Sequence, residues 1–221
     1  MTLTAPYQDL PASLPIFPLR GALLLPRGQL PLNIFEPRYL AMIDTALGDG
    51  RLIGMIRPRQ EGATTKPALY EIGCAGRITS FMETDDGRYL ITLTGISRFH
   101  LKRELETALP FRLIEPNWTQ FRPDLVEPVP EDGVLRERLL ETLAPYLDGE
   151  GLSADWKMIE NASAQTIINS VAMNCPFNAD EKQALLEAET MSDRAETLLA
   201  LMQMAAQDTS QVQTDKSQRL Q

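Results

Sequence analysis

At 221 residues, with 43% hydrophobic and 23% charged residues, the chain has the composition of a soluble globular protein forming one large domain or two small ones. Its net charge of −9 opposes nucleic-acid binding, because phosphate recognition needs concentrated Lys and Arg. The first 13 residues lack a basic residue and an apolar run, and the longest aliphatic stretch is 22–25, far below the ~20 residues of a membrane span. We therefore expect a cytoplasmic protein without a membrane partner.

The charge differs between the two halves of the sequence. Residues 1–118 hold 13 Lys and Arg against 12 Asp and Glu, a net charge of +1. Residues 119–221 hold 8 against 18, a net charge of −10. This contrast predicts two domains of different composition.

Short strands around one helix are predicted for the first part of the chain. Prolines at 15, 18, 26 and 31 fix φ and remove backbone donors, which suits edge strands and the corners of a small, bent barrel. Apolar runs at 30–35 and 51–57 predict strands. Between them, Pro37 is favourable at the first position of a helix whose apolar face comprises residues 39, 40, 43, 46 and 47.

A β-hairpin is predicted at Asp85-Asp86-Gly87, because Asp-Gly supplies the positive φ that a tight turn needs. Two long strand patterns, 70–83 and 88–106, flank this turn. Gly95 interrupts the alternation of the second strand, which predicts a bulge or a sharp bend there. A further strand is expected at 111–118.

A segment rich in proline and acidic residues, 123–133, predicts a linker, because it fits neither a sheet nor a helix. The apolar spacing then becomes helical. Ser153, Ser163 and Ser192 are predicted helix caps, and Asn178 with Glu181 matches a capping box. Residues 207–221 contain almost no apolar side chain and are predicted to form a disordered polar tail.

Several of these segments, in this order, resemble the Lon substrate-binding domain family, the module at the N-terminus of Lon proteases. The matching segments are Leu14-Pro-Ile-Phe-Pro-Leu-Arg20, the strand from Pro31 to Phe35, the helix start Glu36-Pro-Arg38-Tyr39, the strands 70–79 and 89–99, and the final helices from Glu181. Together they span roughly 14–205.

The resemblance implies an α+β fold in which an N-terminal PUA-like β pseudobarrel with one helix precedes a C-terminal α-helical bundle. With the charge and spacing patterns, it predicts a PUA-like domain at 1–122, a linker at 123–133, a helical bundle at 134–206 and the tail at 207–221. The sequence has no Gly-Lys dipeptide and hence no phosphate-binding Gly-x-x-x-x-Gly-Lys motif. We therefore expect a stand-alone substrate-binding domain without an ATPase or peptidase domain.

No strong catalytic motif is present. His100 is the single histidine, and its alternation with Phe99 and Leu101 predicts that it faces outward. There is no Gly-x-Ser-x-Gly motif, and Cys74 and Cys175 form no metal-binding spacing. We expect no enzyme activity, no cofactor and no metal.

Four charged residues lie inside otherwise apolar motifs: Arg20, Glu36, Arg38 and Arg98. A buried charge needs a partner, so one interpretation is an internal ion-pair network in which Glu36 bridges to Arg38 or to another of the arginines. The alternative is a cleft in which these side chains bind a peptide.

The function that the resemblance implies is non-catalytic binding of unfolded or exposed polypeptide segments, with a separate ATPase or protease as a further partner. Two alternatives stay open. One is an orphan ATP-independent peptidase or hydrolase, and the other is an RNA-binding PUA-like protein, which the negative charge opposes.

Overall fold

The computed structural model describes residues 10–59, 66–126 and 133–218, with side chains as far as residue 207. In this part of the chain an α+β arrangement is present, with six strands and six α-helices. The chain divides into two compact units, Met1–Pro128 and Val129–Gln221. All six strands lie in the first unit, and five of the six helices lie in the second.

The first unit is built on one sheet with the order β2-β5-β4-β3-β1-β6. Its strands are β1 Leu14–Pro18, β2 Gln29–Ile34, β3 Leu52–Ile56, β4 Ile72–Glu83, β5 Tyr89–Leu105 and β6 Arg112–Asn117. The 17-residue β5 is long enough to pair with β2 and β4 and, further along, with β6. The pairings therefore run through β5, β4, β3, β1 and β6 and return to β5.

The prolines of β1 show how a Pro-containing strand can have two neighbours. β1 pairs in parallel with β3 and antiparallel with β6. Pro15 lies in the register with β6 only, and Pro18 in the register with β3 only. The prediction that these prolines belong to edge strands is therefore wrong for β1, which has two neighbours. Each proline is tolerated there because it lies at a position paired on one side. The prediction is confirmed for Pro31, since within the described ranges β2 pairs only with β5.

The predicted bulge at Gly95 is confirmed. Ala75 pairs with Ser97 and Gly76 with Gly95, which leaves Ile96 as the extra residue of β5. The loop before β2 packs directly on this bulge, with the Gly95 N–H donating to the Gly28 carbonyl at 2.8 Å. A Cβ atom on Gly95 would lie 2.0 Å from the Leu25 carbonyl oxygen, so only glycine fits here.

The predicted hairpin is also present between β4 and β5. Gly87 has φ +78° and donates its N–H to the Thr84 carbonyl at 2.9 Å. This positive φ is the conformation that the Asp-Gly pair predicted.

The helix of the first unit, α1, spans Pro37–Gly48 with Glu36 as its N-cap residue. Its buried face holds Tyr39, Met42, Ile43 and Ala46. The predicted start at Pro37 is confirmed, and Met42 is a core residue that the predicted apolar face omitted.

The linker prediction needs a correction at its N-terminal end. Thr119–Leu125 form a 3₁₀ segment, and the buried Asp124 carboxylate is an ion-pair partner of Arg98 in β5. The buried Arg98 guanidinium therefore binds the start of a segment whose prolines and acidic residues predicted a linker. Residues 127–132 of the predicted linker lie outside the described residues.

The second unit consists of five helices. They are α2 Gly133–Glu150, α3 Trp156–Asn161, α4 Ala164–Asn174, α5 Ala179–Glu187 and α6 Met191–Gln218. Its core is formed by apolar stripes such as Leu139, Leu143, Tyr146 and Leu147 of α2, as the spacing predicted. The rings of Tyr146 and Phe177 stack with centroids 5.6 Å apart.

Two of the four predicted helix caps are confirmed and two are wrong. Ser163 caps α4, and Asn178 forms the predicted capping box with Glu181. Asp155 rather than Ser153 caps α3, and its carboxylate accepts hydrogen bonds from the N–H groups of Lys157 and Met158.

At α6 the predicted cap, Ser192, is replaced by Thr190. Its hydroxyl accepts from the Asp193 N–H at 3.1 Å, and the Asp193 carboxylate accepts from the Thr190 N–H at 3.1 Å. This reciprocal pair fixes the start of the helix two residues earlier than predicted.

The far end of α6 also differs from the sequence prediction. The helix continues to Gln218 through most of the 207–221 segment, for which the composition predicted disorder. Glutamine is a good helix former and recurs at 207, 211, 213 and 218, so the backbone can continue the helix without an apolar face. The last three residues lie outside the described part of the chain.

Candidate functional site

Glu36 and Arg38, two of the predicted site residues, meet at the corner between β2 and α1. The Arg38 Nε donates to Glu36 Oε2 at 3.0 Å, and a second nitrogen lies 2.8 Å from the same oxygen. Both side chains are nearly half exposed, so this pair lies on the surface. The Arg38 guanidinium also stacks 4.5 Å from the centroid of the Tyr39 ring.

Arg98 lies in a different, buried environment. Its Nε and Nη2 each donate to the Asp124 carboxylate at 3.0 Å, and its backbone N–H donates to the same carboxylate at 2.9 Å. The guanidinium also lies 4.4 Å above the Phe121 ring. Both side chains of the pair are less than 10% exposed. This ion pair ties the 3₁₀ segment to β5.

The structure therefore brings together two of the four predicted residues. Arg98 pairs with Asp124, a residue that the sequence placed in a linker, and Glu36 pairs with Arg38. Arg20 lies exposed just after β1. A buried Arg98 needs a carboxylate partner, and this need is a signal that the sequence offers. It does not identify Asp124, because the two residues are 26 positions apart.

A surface cleft of about 650 Å³, here called the Arg38 cleft, contains Arg38 in its wall. It lies in the first unit, between the first turn of α1 and the connection from β5 to β6. Its lining residues are Pro18, Arg38, Tyr39, Pro58, Lys66, Pro67, Glu104, Leu105, Glu106, Thr107, Leu109, Pro110, Phe111 and Arg112.

The charged wall of the cleft is an ordered ion-pair cluster. Arg112 pairs with Glu104 and donates to the Pro67 carbonyl at 2.8 Å, and the Lys66 ammonium lies 3.0 Å from Glu104. Partial burial opposes ionisation of Glu104, but the hydrogen bonds from Arg112 and Lys66 outweigh it and lower the pKa of this carboxyl. Glu104 is thus held ionised, with both cations fixed beside it.

Tyr39 lines the same cleft with a neutral phenol, although the residue is only 6% exposed. Burial raises the pKa of the phenol, and the nearby Arg38 only partly offsets this effect. The ring is fixed against Phe17, with centroids 4.2 Å apart. A neutral phenol can donate a hydrogen bond to a carbonyl oxygen, such as that of a peptide backbone.

The environments of His100 and Cys175 bear on the prediction that the chain has no catalytic centre. His100 is partly exposed and hydrogen-bonds to Glu71 at 3.2 Å on the surface. Burial raises the pKa of the Cys175 thiol, which is the opposite of nucleophile activation. Among the described residues, no cluster of three His, Cys, Asp or Glu side chains has the geometry to hold a metal ion.

The described ranges contain no candidate for a membrane-spanning helix. Not one of their helices combines the length and the apolar character that a bilayer requires.

Comparison with known proteins gives a consistent family signal. Residues 13–204 match the model of the ATP-dependent protease La (LON) substrate-binding domain. The Lon protease of Flavobacterium johnsoniae is 25% identical over 90% of this chain and 25% of its own length. Lon protease 2 of Sorangium cellulosum is 27% identical over 86% of this chain and 24% of its own. The chain thus spans about a quarter of the length of these curated relatives.

Solved structures show the same relationship. A Lon N-terminal domain protein from Xanthomonas campestris matches with a TM-score of 0.59 and 25% identity, covering 85% of this chain and 97% of its own. The N-terminal domain of a Mycobacterium avium complex Lon protease matches with a TM-score of 0.59 over 89% of this chain and 98% of its own. At 14% identity, this second match concerns the fold alone.

Proposed function

Because the chain belongs to the ATP-dependent protease La (Lon) substrate-binding domain family, we propose that it is a non-catalytic module that binds unfolded or exposed segments of other polypeptides. The observation that carries the proposal is the Arg38 cleft. Its volume of about 650 Å³ falls in the range of ligand-binding sites and is large enough for a few residues of a peptide.

The composition of the cleft suits an extended polypeptide. Four prolines, at 18, 58, 67 and 110, contribute rigid apolar surface without backbone N–H donors, and Leu109 is 44% exposed. Arg38 and the Tyr39 hydroxyl supply donors for the carbonyl oxygens of a bound chain. This mixture of apolar surface and few donors favours recognition of backbone and apolar side chains over a particular charged sequence.

The four predicted site residues take different roles in this proposal. Arg38 contacts the bound segment, and Glu36 orients Arg38 through their ion pair. Arg20 lies two residues after Pro18 of the cleft wall and contacts the segment at its rim. Arg98 is a structural residue, since its guanidinium is committed to Asp124.

We further infer that the first unit is a PUA-like β pseudobarrel and that the two units are separate domains. The return of the strand pairings to β5 supports the pseudobarrel. The division into Met1–Pro128 and Val129–Gln221 supports two domains.

A separate ATPase or protease is the partner that this function implies. The curated relatives are Lon proteases about four times as long as the matched segment. In our proposal the cleft holds a polypeptide that such a partner then processes.

The proposal can be tested with reduced, carboxymethylated α-lactalbumin, a permanently unfolded polypeptide, labelled with fluorescein. We expect its anisotropy to rise on titration with the protein. Arg38→Gln and Leu109→Ser, both in the cleft wall, should weaken binding about tenfold, because each removes one contact near the centre of the site.

Arg88→Gln is the matched control. Arg88 is as exposed as Arg38 and likewise pairs with a carboxylate two residues earlier, but it lies in the β4–β5 hairpin rather than in the cleft wall. Equal affinities for all variants would contradict the assignment of the cleft. Fragments of the probe in mass spectra taken without ATP would support the hydrolase alternative, and salt-sensitive displacement of the probe by RNA would support the nucleic-acid alternative.

A further inference from the structure

A second concave surface lies within the second unit and is made by α2, α3 and α4. Its volume is about 330 Å³, and we call it the α3 groove. Its lining residues are Leu143, Leu147, Leu152, Ser153, Ala154, Met158, Ile159, Ala162, Thr166, Ile167, Ser170, Val171, Asn174 and Cys175. The lining is mostly aliphatic, as in grooves that bind amphipathic helices.

The helix α3 contributes apolar side chains that the unit does not bury. None of its six residues is buried, and Met158 is 72% exposed. Leu152, just before this helix, is 39% exposed. A flexible methionine at the mouth of an apolar groove adapts to varied partner side chains.

Polar contacts, rather than a core of its own, hold α3 in place. The Asp155 carboxylate caps its N-terminus, and the Arg136 guanidinium of α2 donates to the carbonyl oxygens of Ile159, Glu160 and Ala162. The wall of the groove is therefore ordered while its apolar side chains stay available. Such preorganised apolar surface lowers the entropic cost of binding a partner.

The opposite wall allows close approach. Thr166, Ser170 and Asn174 lie four residues apart along one line of α4, and all three are exposed. Their side chains are short, so a partner helix can lie close to the backbone of α4 and reach the buried Ile167 and Val171 beneath.

The charge around the groove specifies the partner. Residues 145–175 contain four acidic residues, Asp148, Glu150, Asp155 and Glu160, against one basic residue, Lys157, and the Arg136 guanidinium of α2 adds a second cation at Ile159 and Ala162, which leaves a net charge of −2 around the groove. The second unit as a whole contains 7 Lys and Arg against 16 Asp and Glu, a net charge of −9. Three of these seven cations, Arg136, Arg138 and Arg194, are engaged in contacts within the unit.

We propose that the α3 groove binds a basic amphipathic helix of a partner protein, with apolar side chains in the groove and Lys or Arg facing the acidic rim. Negative charge at the rim attracts such a segment and repels an acidic one of the same apolar pattern. The inference is independent of the Arg38 cleft, because the two sets of lining residues belong to different units.

The experiment uses the full chain and two fluorescein-labelled 14-residue peptides. One has leucines at helical spacing separated by lysines, and the other has glutamate in place of every lysine. We expect fluorescence anisotropy to show saturable binding of the lysine peptide, at least tenfold tighter than the glutamate peptide, and weaker at high salt.

Met158→Gln should weaken binding of the lysine peptide about tenfold, since it removes an exposed apolar contact without disturbing buried atoms. Ser170→Leu fills the groove and should have a similar effect. Met204→Gln is the matched control, because Met204 is 62% exposed in the same unit but does not line the groove. Any binding of these peptides in the Arg38 cleft should not depend on their charge, so Arg38→Gln should affect both peptides alike and leave the preference for the lysine peptide intact, which separates this inference from the proposed function.

Equal affinity for the two peptides, or equal effects of Met158→Gln and Met204→Gln, would overturn the inference. Sedimentation velocity supplies a further outcome. If the protein self-associates and Met158→Gln abolishes that association, a second copy of this chain occupies the groove, and the proposed basic partner is wrong.

Discussion

In the first unit, several decisive contacts join residues far apart in sequence, whereas in the second the helix starts are set by caps that are local in sequence. In the first unit, some positions admit only one residue type. Gly95 lies against the Leu25 carbonyl, and Arg98 pairs with the carboxylate of Asp124, 26 residues away. In the second, Thr190 and Asp193 fix a helix start within four residues. The charge differs in the same way, since the first unit is neutral, with 14 residues of each sign, and the second has a net charge of −9.

This contrast implies that substitutions should act differently in the two units. In the first unit, adding or removing one group at such a contact should disturb two segments that are distant in sequence. In the second, a lost cap affects one helix end, because the remaining helices keep their own caps and core faces. Four experiments test this contrast, and their expected effects decrease in the order given.

Gly95→Ala should give the largest effect. The added Cβ would lie 2.0 Å from the Leu25 carbonyl oxygen, so either the loop or the β5 bulge must move. We expect a loss of more than about 4 kcal/mol in the free energy of unfolding, as for other severe steric conflicts. Gly48→Ala in α1 is the control, since nothing lies within 4 Å of its added Cβ. Urea unfolding followed by circular dichroism measures both, and a similar result for the two variants would contradict the close approach.

Asp124→Asn should be the next largest. It leaves the buried Arg98 guanidinium without its carboxylate, and breaking a buried ion pair from one side costs about 3 kcal/mol or more. The double variant Arg98→Met with Asp124→Asn should recover most of this loss, because no buried charge remains and the amide oxygen at position 124 can still accept from the backbone N–H of residue 98. Thermal unfolding of the two variants tests this. A double variant no more stable than the single one would mean that the pair is needed for more than charge compensation.

In the second unit, Thr190→Ala should cost about 1 kcal/mol, the usual value of a lost N-cap. Ser192→Ala is the control, because the structure places Ser192 inside α6 with an exposed side chain. The sequence pattern predicted the opposite order. Urea unfolding that shows a greater loss for Ser192→Ala would restore the original cap assignment.

The smallest effect concerns the β4–β5 hairpin and depends on pH. Hydrogen bonds from Arg88 and Thr84 lower the pKa of the Asp86 carboxyl from 3.8 to about 2. Because the folded pKa is the lower one, this contribution to stability is present above pH 3.8 and is lost as the pH falls towards 2.

Arg88→Gln should therefore raise the pKa of Asp86 towards its ordinary value, which side-chain carboxyl NMR titration can follow. The stability difference between wild type and variant should shrink between pH 4 and pH 2. A difference that is constant over this range would show that the hydrogen bonds to Asp86 do not stabilise the hairpin.

The sequence predicted most of the elements because their signals are local. The Asp-Gly turn, the proline at the start of α1, the Asn178 capping box and the helical stripe of α2 are each specified by a few neighbouring residues. The errors at Ser153 and Ser192 have the same origin. Asp155 and Thr190, close by, are equally good caps, and the sequence pattern alone does not distinguish between them.

Long-range features were much harder to predict. The partner of Arg98 depends on how the 3₁₀ segment folds back on β5, and the position of Pro15 and Pro18 depends on the register with two different strands. For the candidate site, the sequence identified the Glu36–Arg38 pair but not Tyr39, Glu104 or Arg112 of the same cleft. Those residues become neighbours only through tertiary structure. One sequence signal was nevertheless available, because Glu104 and Arg112 have opposite charges and flank the β5–β6 connection.

The pairing of β1 with β6 has a consequence for how this chain is made. Leu14 lies opposite Ile114, and the Trp118 indole donates to the Pro11 carbonyl, 107 residues away. The β1–β6 pairs cannot form until the ribosome has released the whole of β6, so β1 of the nascent chain lacks this partner while roughly a hundred further residues are added. Contacts of such high sequence separation slow folding and prolong the interval in which a newly made chain is vulnerable to misassembly.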